Sequence, residues 1–198
     1  MALPLVTTQA PTFVAKAVSG KEFVTVDLAS YKGKWVVLFF YPLDFTFVCP
    51  TEIVAFSDVA HKFAERNTVL LGVSTDSHYT HLAWQNQPRS AGGVGDVKFP
   101  MVSDLDHSIS RAYGVLLEGQ GIALRGLFLI DRNGIIRHAV INDLPLGRSV
   151  DETLRIVDAL THYEKHGEVC PANWHPGQPA MVPDPVKSQA FFQRWGQA

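Results

Sequence analysis

Cysteine is scarce in this chain: Cys49 and Cys170 are the only two among 198 residues. Two are too few for a secreted disulfide scaffold and too few for a zinc site built mainly of thiolates, which leaves redox chemistry or no role for the sulfur. Charge is sparse as well. Lys and Arg number 17 against 19 Asp and Glu, a net charge of −2, so no global basic field gathers nucleic acid or anionic lipid and neither is expected as a partner. Long apolar runs are missing too, the most hydrophobic being Trp35 to Tyr41, well short of the roughly 20 residues that span a bilayer. No membrane insertion is expected. The start, Met1 to Pro11, lacks the cationic and apolar regions of a secretory signal and the Arg-rich character of a transit peptide, which reads as a cytoplasmic protein. Gly at 15 and Pro at 12 exclude collagen-like and low-complexity architectures. What remains is a chain that is 46% hydrophobic, enough to bury the core of one domain with a short appended tail.

Val36 to Tyr41 is a continuous run rich in β-branched and aromatic residues, suited to a strand buried on both faces, and Pro42 ends it. From Thr51 the apolar residues Ile53, Phe56, Val59, Ala60 and Phe63 take helical spacing, with Pro50 in the first turn and Glu52 near the positive end of the dipole. Cys49 therefore lies where a strand gives way to a helix. Thr68 to Ser74 is a second buried strand, Tyr79 to Gln87 a helix closed by Pro88, Phe99 to Val102 a short strand and Ser108 to Tyr113 a short helix. Leu127 to Asp131 and Ile135 to Val140 flank Asn133-Gly134, a hairpin signal. Val150, Leu154, Val157, Leu160 and Thr161 mark a long helix to about Lys165, with Arg148 or Ser149 at its start. Alternating strands and helices followed by a hairpin and a helix describe an α/β protein of thioredoxin-like type, a mixed central β-sheet flanked by helices. After Gly167 the prolines at 171, 176, 179, 183 and 185 predict an extended tail without a core of its own. Ser188 to Trp195 can add one or two amphipathic turns. The expected division is residues 1–167 and a tail of 168–198.

A cysteine at a strand-to-helix junction has its sulfur near orphan N–H groups and the positive end of a helix dipole, both of which favour a thiolate. The alternative for Cys49 is a buried structural thiol. Its surroundings, Pro42-Leu43-Asp44-Phe45-Thr46-Phe47-Val48-Cys49-Pro50-Thr51-Glu52, argue for chemistry. Thr46 stands three residues before Cys49, where a thioredoxin carries its second cysteine. A hydroxyl there can donate to a thiolate or to a bound oxygen but cannot close a disulfide, so a disulfide partner must come from elsewhere.

Pro42-(x)3-Thr46-(x)2-Cys49 resembles the active-site signature of peroxiredoxins, and Phe45 to Glu52 resembles the typical two-cysteine subfamily. The resemblance continues through His81-Leu82-Ala83-Trp84, Gly92-Gly93-Val94-Gly95, Phe99 to Asp104, Arg125 to Asp131, Asp143 to Arg148 and Val169-Cys170-Pro171-Ala172-Asn173-Trp174, nearly the whole chain. It implies a thiol peroxidase acting on hydrogen peroxide and organic hydroperoxides, in which Cys49 attacks the peroxide and becomes a sulfenic acid. It further implies that Thr46 and Arg125 bind the peroxide oxygens, that Pro42 shields the pocket and that Glu52 and Arg148 orient the active-site arginine. Cys170 matches the resolving cysteine, which in typical members joins Cys49 of another subunit. The implied assembly is a homodimer that builds a ring such as a decamer, and the implied reductant is thioredoxin or, second, a flavoprotein disulfide reductase. No metal, haem or flavin is required. A ring-forming holdase chaperone or redox-signalling binder is the alternative, and aggregation suppression that survives loss of Cys49 would favour it.

Thiolate formation alone does little for such a reaction. Nucleophilicity falls with thiol pKa at a Brønsted slope of about 0.4–0.5, so a drop of about two units leaves only a few-fold gain near neutral pH. The larger effect must come from donors that stabilise charge across the breaking O–O bond, the role implied for Arg125 and Thr46. Gly92 to Gly95 lacks the preceding strand and the Lys-Ser/Thr ending of a phosphate loop. In the family the matching Gly-Gly-Leu-Gly loop and a C-terminal Tyr-Phe pair accompany sensitivity to over-oxidation, whereas here Val94 and Phe191-Phe192 stand in those places. His78 with His81, and His162 with His166, have spacings that suit a metal on a helix, but neither pair has a third candidate ligand, and solvated helix faces are the simpler expectation.

Overall fold

A computed structural model of the chain describes residues 5–195; residues 1–4 of the start read above and 196–198 of the tail lie outside them. The chain forms two compact units, Met1–Arg148 and Ser149–Ala198. Among the described residues no helix is long and apolar enough to cross a membrane.

The larger unit is built on a seven-stranded sheet. Its strands are β1 (Val14–Ser19), β2 (Glu22–Asp27), β3 (Trp35–Phe40), β4 (Thr68–Ser74), β5 (Met101–Ser103), β8 (Arg125–Ile130) and β9 (Ile136–Asn142), in the spatial order β2-β1-β5-β4-β3-β8-β9. A separate small pair is β6 (Leu116–Leu117) with β7 (Ile122–Ala123). Strands β3, β4 and β5 run parallel and the other pairings are antiparallel, which makes the sheet mixed. Parallel neighbours need crossover connections. Helices α1 (Cys49–Asp58) and α2 (Ala60–Ala64) carry the chain from β3 to β4, and α3 (His78–Asn86) lies on the path to β5; α4 (Ser108–Ala112) follows.

All six residues of β3 are buried, as its unbroken apolar sequence demands of a strand covered on both faces. Alternate residues feed two layers. Val36, Leu38 and Phe40 join Leu71, Val73, Val102, Phe128 and Ile130 in one cluster. On the other face Phe39 stacks on Phe56 of α1 at 4.7 Å and meets Phe99 edge-on at 5.4 Å. The Asn133-Gly134 hairpin forms as expected: Gly134 adopts a positive φ of 85°, and the Asp131 carboxylate accepts from the N–H groups of Asn133 and Ile135.

Three differences from the sequence reading have local causes. The sequence reading places no strand before Trp35, yet β1 and β2 form an antiparallel pair around Gly20, with β1 bonded to β5. The helix expected to run from Thr51 past Phe63 is interrupted at Val59, whose φ of −108° and ψ of 14° close α1 before α2 begins. The strand expected from Phe99 starts at Met101, because Pro100 has no N–H to enter a ladder, although its carbonyl still accepts from Gly72.

The smaller unit opens with α5 (Val150–His166). Ser149 caps it by accepting from the Glu152 N–H, Asp151 and Glu152 sit in its first turn, and Gly167 ends it at a φ of 68°. The tail behind it is not simply extended but runs through turns, folds back so that Val169 and Met181 form an antiparallel bridge, and ends in a last helix, α6 (Gln189–Trp195).

Candidate active site

The register of the sheet brings residues far apart in sequence to one place. In the β3–β8 ladder Phe39 faces Leu127, and extending that register by two residues sets Tyr41 opposite Arg125. The loop that leaves β3 thus starts beside the first residue of β8. Cys49 is the first residue of α1, with Pro50 next, so the helix begins at the sulfur-bearing residue itself. Val48, the N-cap, offers no side-chain hydrogen bond to the first turn.

Cys49 is fully buried. Nη1 of Arg125, 76 residues later, donates to its Sγ at 3.4 Å and to Glu52 Oε2 at 2.7 Å, while Nε of the same guanidinium donates to the Leu144 carbonyl at 2.7 Å. Glu52 holds a second guanidinium. Arg148 gives its backbone N–H and Nε to Oε1 at 2.8 and 2.7 Å, Nη2 to Oε2 at 3.0 Å, and Nη1 to the Gly126 carbonyl at 2.6 Å. The Arg148 guanidinium also lies 5.3 Å from the centre of the Phe39 ring. All three charged side chains are buried. Buried charges are tolerated only when paired and hydrogen-bonded, and this cluster meets that condition for its carboxylate and both cations. Two cations against one anion still leave it a single negative charge short of neutrality. A thiolate, or an anion released as a bond breaks beside Arg125, would fill that deficit.

Close packing fixes the strand that carries Arg125. A Cβ on Gly126 would lie 2.7 Å from Val115 Cγ1, so this position has no room for a side chain. Pro42 is buried at the start of the loop. Thr46 is half-buried, and its hydroxyl donates to the Leu43 carbonyl at 2.8 Å. The structure therefore gathers Cys49, Arg125, Glu52 and Arg148 into one hydrogen-bonded group, with Thr46 turned toward its own loop. Cys170 belongs to the smaller unit, where its thiol donates to the Ala159 carbonyl at 3.5 Å. Burial pushes that thiol's pKa up, and the Arg155 charge works against the rise.

A second buried polar network supports the loop, and the sequence reading misses it. Asp44 accepts from the Tyr41 hydroxyl at 2.9 Å, lies 2.7 Å from His81 Nδ1, and gives its backbone N–H to Asp76 at 2.9 Å. His81 Nε2 lies 3.2 Å from the Val102 carbonyl; because a carbonyl only accepts, Nε2 carries the hydrogen. Burial pushes the Asp44 carboxyl up, and His81 pulls it back. These contacts pin a strained turn, since Phe45 adopts a φ of 55° that bulky residues rarely take. His81 is thus not on a solvated helix face as expected but fully buried, because α3 turns His81, Trp84 and Gln85 inward together. His162 also departs from a solvated face: its Nε2 is 3.0 Å from Glu168 and its ring 4.9 Å from that of Trp174. Among the described residues no group of three His, Cys, Asp or Glu side chains is placed to hold a metal ion.

Residues 6–139 match the AhpC/TSA family and residues 159–194 match the C-terminal domain of 1-Cys peroxiredoxin. The chain is 58% identical over 194 residues to a mitochondrial thioredoxin-dependent peroxide reductase of Pongo abelii, covering 98% of this chain and 76% of the relative. It is 58% identical to the chloroplastic 2-Cys peroxiredoxin BAS1 of Hordeum vulgare, covering 96% and 91%. Among solved structures, the reduced 2-Cys peroxiredoxin of Plasmodium vivax superposes with a TM-score of 0.90 at 50% identity, covering 92% of this chain and 95% of that one. These relatives overturn the cytoplasmic expectation, since the first is mitochondrial and the second chloroplastic. An address is read by receptors from a short segment outside the core, so composition and the lack of a signal pattern carry no information about compartment.

Proposed function

The chain belongs to the AhpC/TSA family and is a peroxiredoxin, a thiol peroxidase, and from that premise we propose that Cys49 is the nucleophile and Arg125 the group that stabilises its transition state. The Cys49 sulfur attacks the distal oxygen of a hydroperoxide. An S–O bond forms, the O–O bond breaks, and two electrons pass from sulfur to the peroxide; the leaving oxygen takes a proton and departs as alcohol or water. Arg125 is the donor within reach of both the sulfur and the oxygen it attacks, and the carboxylate of Glu52 and the backbone of Leu144 hold it in place. Arg148 keeps Glu52 from swinging away. Thr46, by turning its hydroxyl from the Leu43 carbonyl, supplies a second donor, and Pro42 keeps water out.

Resolution is assigned to Cys170 of a second copy of the chain, in the tail of residues 168–198. Its thiolate attacks the sulfenic sulfur, an S–S bond forms, the S–O bond breaks, and hydroxide leaves and is protonated to water. A dithiol then supplies two electrons and two protons to restore both thiols. Thioredoxin is the first choice, supported by the name of the Pongo abelii relative, and a flavoprotein disulfide reductase is the second. A dimer that assembles into a ring, a decamer among the possible sizes, is supported by exposed Phe45 and Phe47 on the catalytic loop and exposed Phe23 and Tyr79 in ring contact with each other. The holdase alternative is not favoured by the relatives, which are peroxidases by name.

The observation that carries this reading is the 3.4 Å contact between Arg125 Nη1 and Cys49 Sγ, backed by Glu52. Arg125→Ala should slow peroxide consumption by roughly 10²- to 10³-fold, the size of effect seen when one preorganised donor is removed. Stopped-flow rates measured beside the thiolate fraction of each variant decide it. A rate that merely tracks the thiolate fraction would refute the electrostatic role.

A further inference from the structure

We infer that Arg155 and His162 form a latch that holds Cys170 against α5 and so sets how often its thiol is free to react. This rests on the reading of Cys170 as the resolving cysteine. Positions 155, 159 and 162 follow i, i+4, i+7 spacing and share one face of α5. Each contacts the segment around Cys170. Arg155 Nη1 donates to the Trp174 carbonyl at 3.2 Å, the Ala159 carbonyl accepts from the Cys170 thiol at 3.5 Å, and His162 meets both the Trp174 ring and the Glu168 carboxylate. Glu168 and Trp174 flank Cys170 on either side, so the latch closes over the thiol from both directions. The guanidinium is itself fixed, because Nε and Nη2 of Arg155 are held by Glu152 at 2.6 and 2.7 Å.

The Trp174 side chain is buried, yet the segment does not fill the space around it. A cavity of about 390 Å³ opens beside the segment, lined among others by Pro171, Trp174, Pro179, Phe191 and Trp195. A half-buried thiol beside open space, held by a handful of polar contacts, marks a segment that can open locally. Closed, the thiol is half-buried and faces a carbonyl that can only accept its hydrogen; burial also works against its ionisation more strongly than Arg155 favours it. Open, it meets water and reactants as an ordinary cysteine would. Arg155 and His162 are thus positioning residues for the resolving step, acting through Trp174 and Glu168.

The test uses the full chain in a Cys49→Ser background, where Cys170 is the sole thiol, and reads its alkylation by iodoacetamide in native buffer. Arg155→Met and, separately, His162→Ala should each raise the rate by about 2- to 12-fold, the effect of one lost hydrogen bond on an opening equilibrium. Arg155→Lys keeps a cationic donor for the Trp174 carbonyl and should return the rate most of the way to that of the parent. Trp174 emission, isolated by difference against Trp174→Phe, should shift to the red in step with the rate while the far-UV spectrum and melting temperature stay unchanged. An unchanged rate in both Arg155→Met and His162→Ala would overturn the latch, and so would a slower rate in Arg155→Met, which would make Arg155 a stabiliser of the thiolate. Because alkylation needs no turnover, it is independent of the resolving role. If peroxide fails to produce a Cys49–Cys170 disulfide in the unaltered chain, the reading of Cys170 fails while the latch stands or falls on alkylation.

Discussion

The two cysteines of this chain live in opposite kinds of surroundings. Cys49 is fully buried at the first residue of a helix, within reach of a guanidinium that is braced by a carboxylate and a second guanidinium. Cys170 is half-buried on a proline-rich segment, donates to a backbone carbonyl, and is bordered by an arginine already engaged with Glu152. One setting is closely hydrogen-bonded and one charge short of neutrality; the other is held by a handful of polar contacts with a cavity beside it. Rigid charge preorganisation suits a step in which an O–O bond breaks, since donors fixed in advance need no reorganisation as charge develops. A loosely tethered thiol suits a step that begins with movement.

Exchanging the two cysteines in turn breaks the comparison most sharply. Cys49→Ser should abolish peroxide consumption, whereas Cys170→Ser should leave the first oxidation intact and remove the reducible dimer from non-reducing denaturing gels. Substantial turnover in the first variant, or a persistent disulfide dimer in the second, would erase the difference in role. Next in size is Glu52→Gln, which leaves two buried guanidinium groups without their shared anion. Breaking a buried pair in this way costs about 3–5 kcal/mol, measured as a shift of the urea midpoint at constant slope. Glu152→Gln, which removes the exposed carboxylate from the half-buried Arg155 beside the other cysteine, should change stability by about 1 kcal/mol, well below the effect of Glu52→Gln.

A smaller effect is expected of the loop that carries Cys49. Burial raises the Asp44 carboxyl above its ordinary value. A carboxyl raised in the folded state binds more protons there than in the unfolded chain, so its contribution is present below the unfolded pKa and lost as pH rises through the folded one. Asp44→Asn should therefore flatten the fall in unfolding free energy as pH rises above the ordinary aspartate range. Parallel curves for the two proteins would show that Asp44 does not titrate in the fold. The smallest effect concerns over-oxidation. A tyrosine restored by Phe191→Tyr adds at most one hydrogen bond, about 0.5–1.5 kcal/mol, and should increase sulfinic acid at Cys49 by about 2- to 12-fold during turnover at high peroxide. Mass spectrometry of Cys49 measures it, and equal sulfinic fractions would remove the tail from control of the active site.

Much of the scaffold is legible because it rests on local pattern. The unbroken apolar run of β3, the helical spacing of α5 with Ser149 at its cap, and the Asn133-Gly134 turn are each written in a few adjacent residues. The β1–β2 pair is harder to see, for its strands are partly exposed and owe their place to pairing with each other and with β5. Cys49 and the residues around it stand out through a compact motif. The Asp44–His81–Tyr41 network does not: His81 reads as a polar residue on a weakly patterned helix, and nothing local says that the helix turns it inward toward Asp44.

By itself the sequence determined the strand-to-helix junction at Cys49 and the proline-rich setting of Cys170. These follow from neighbouring residues, whose backbone preferences and spacing act over a few bonds. Tertiary structure alone decided that Arg125 Nη1 reaches Cys49, that Glu52 joins it to Arg148, and that His81 is buried against Asp44. The reason is distance along the chain: the β3–β8 register converts a separation of 76 residues into a hydrogen bond. A buried charge is stable only where its partners converge, and that convergence is a property of the folded sheet, not of any segment within it.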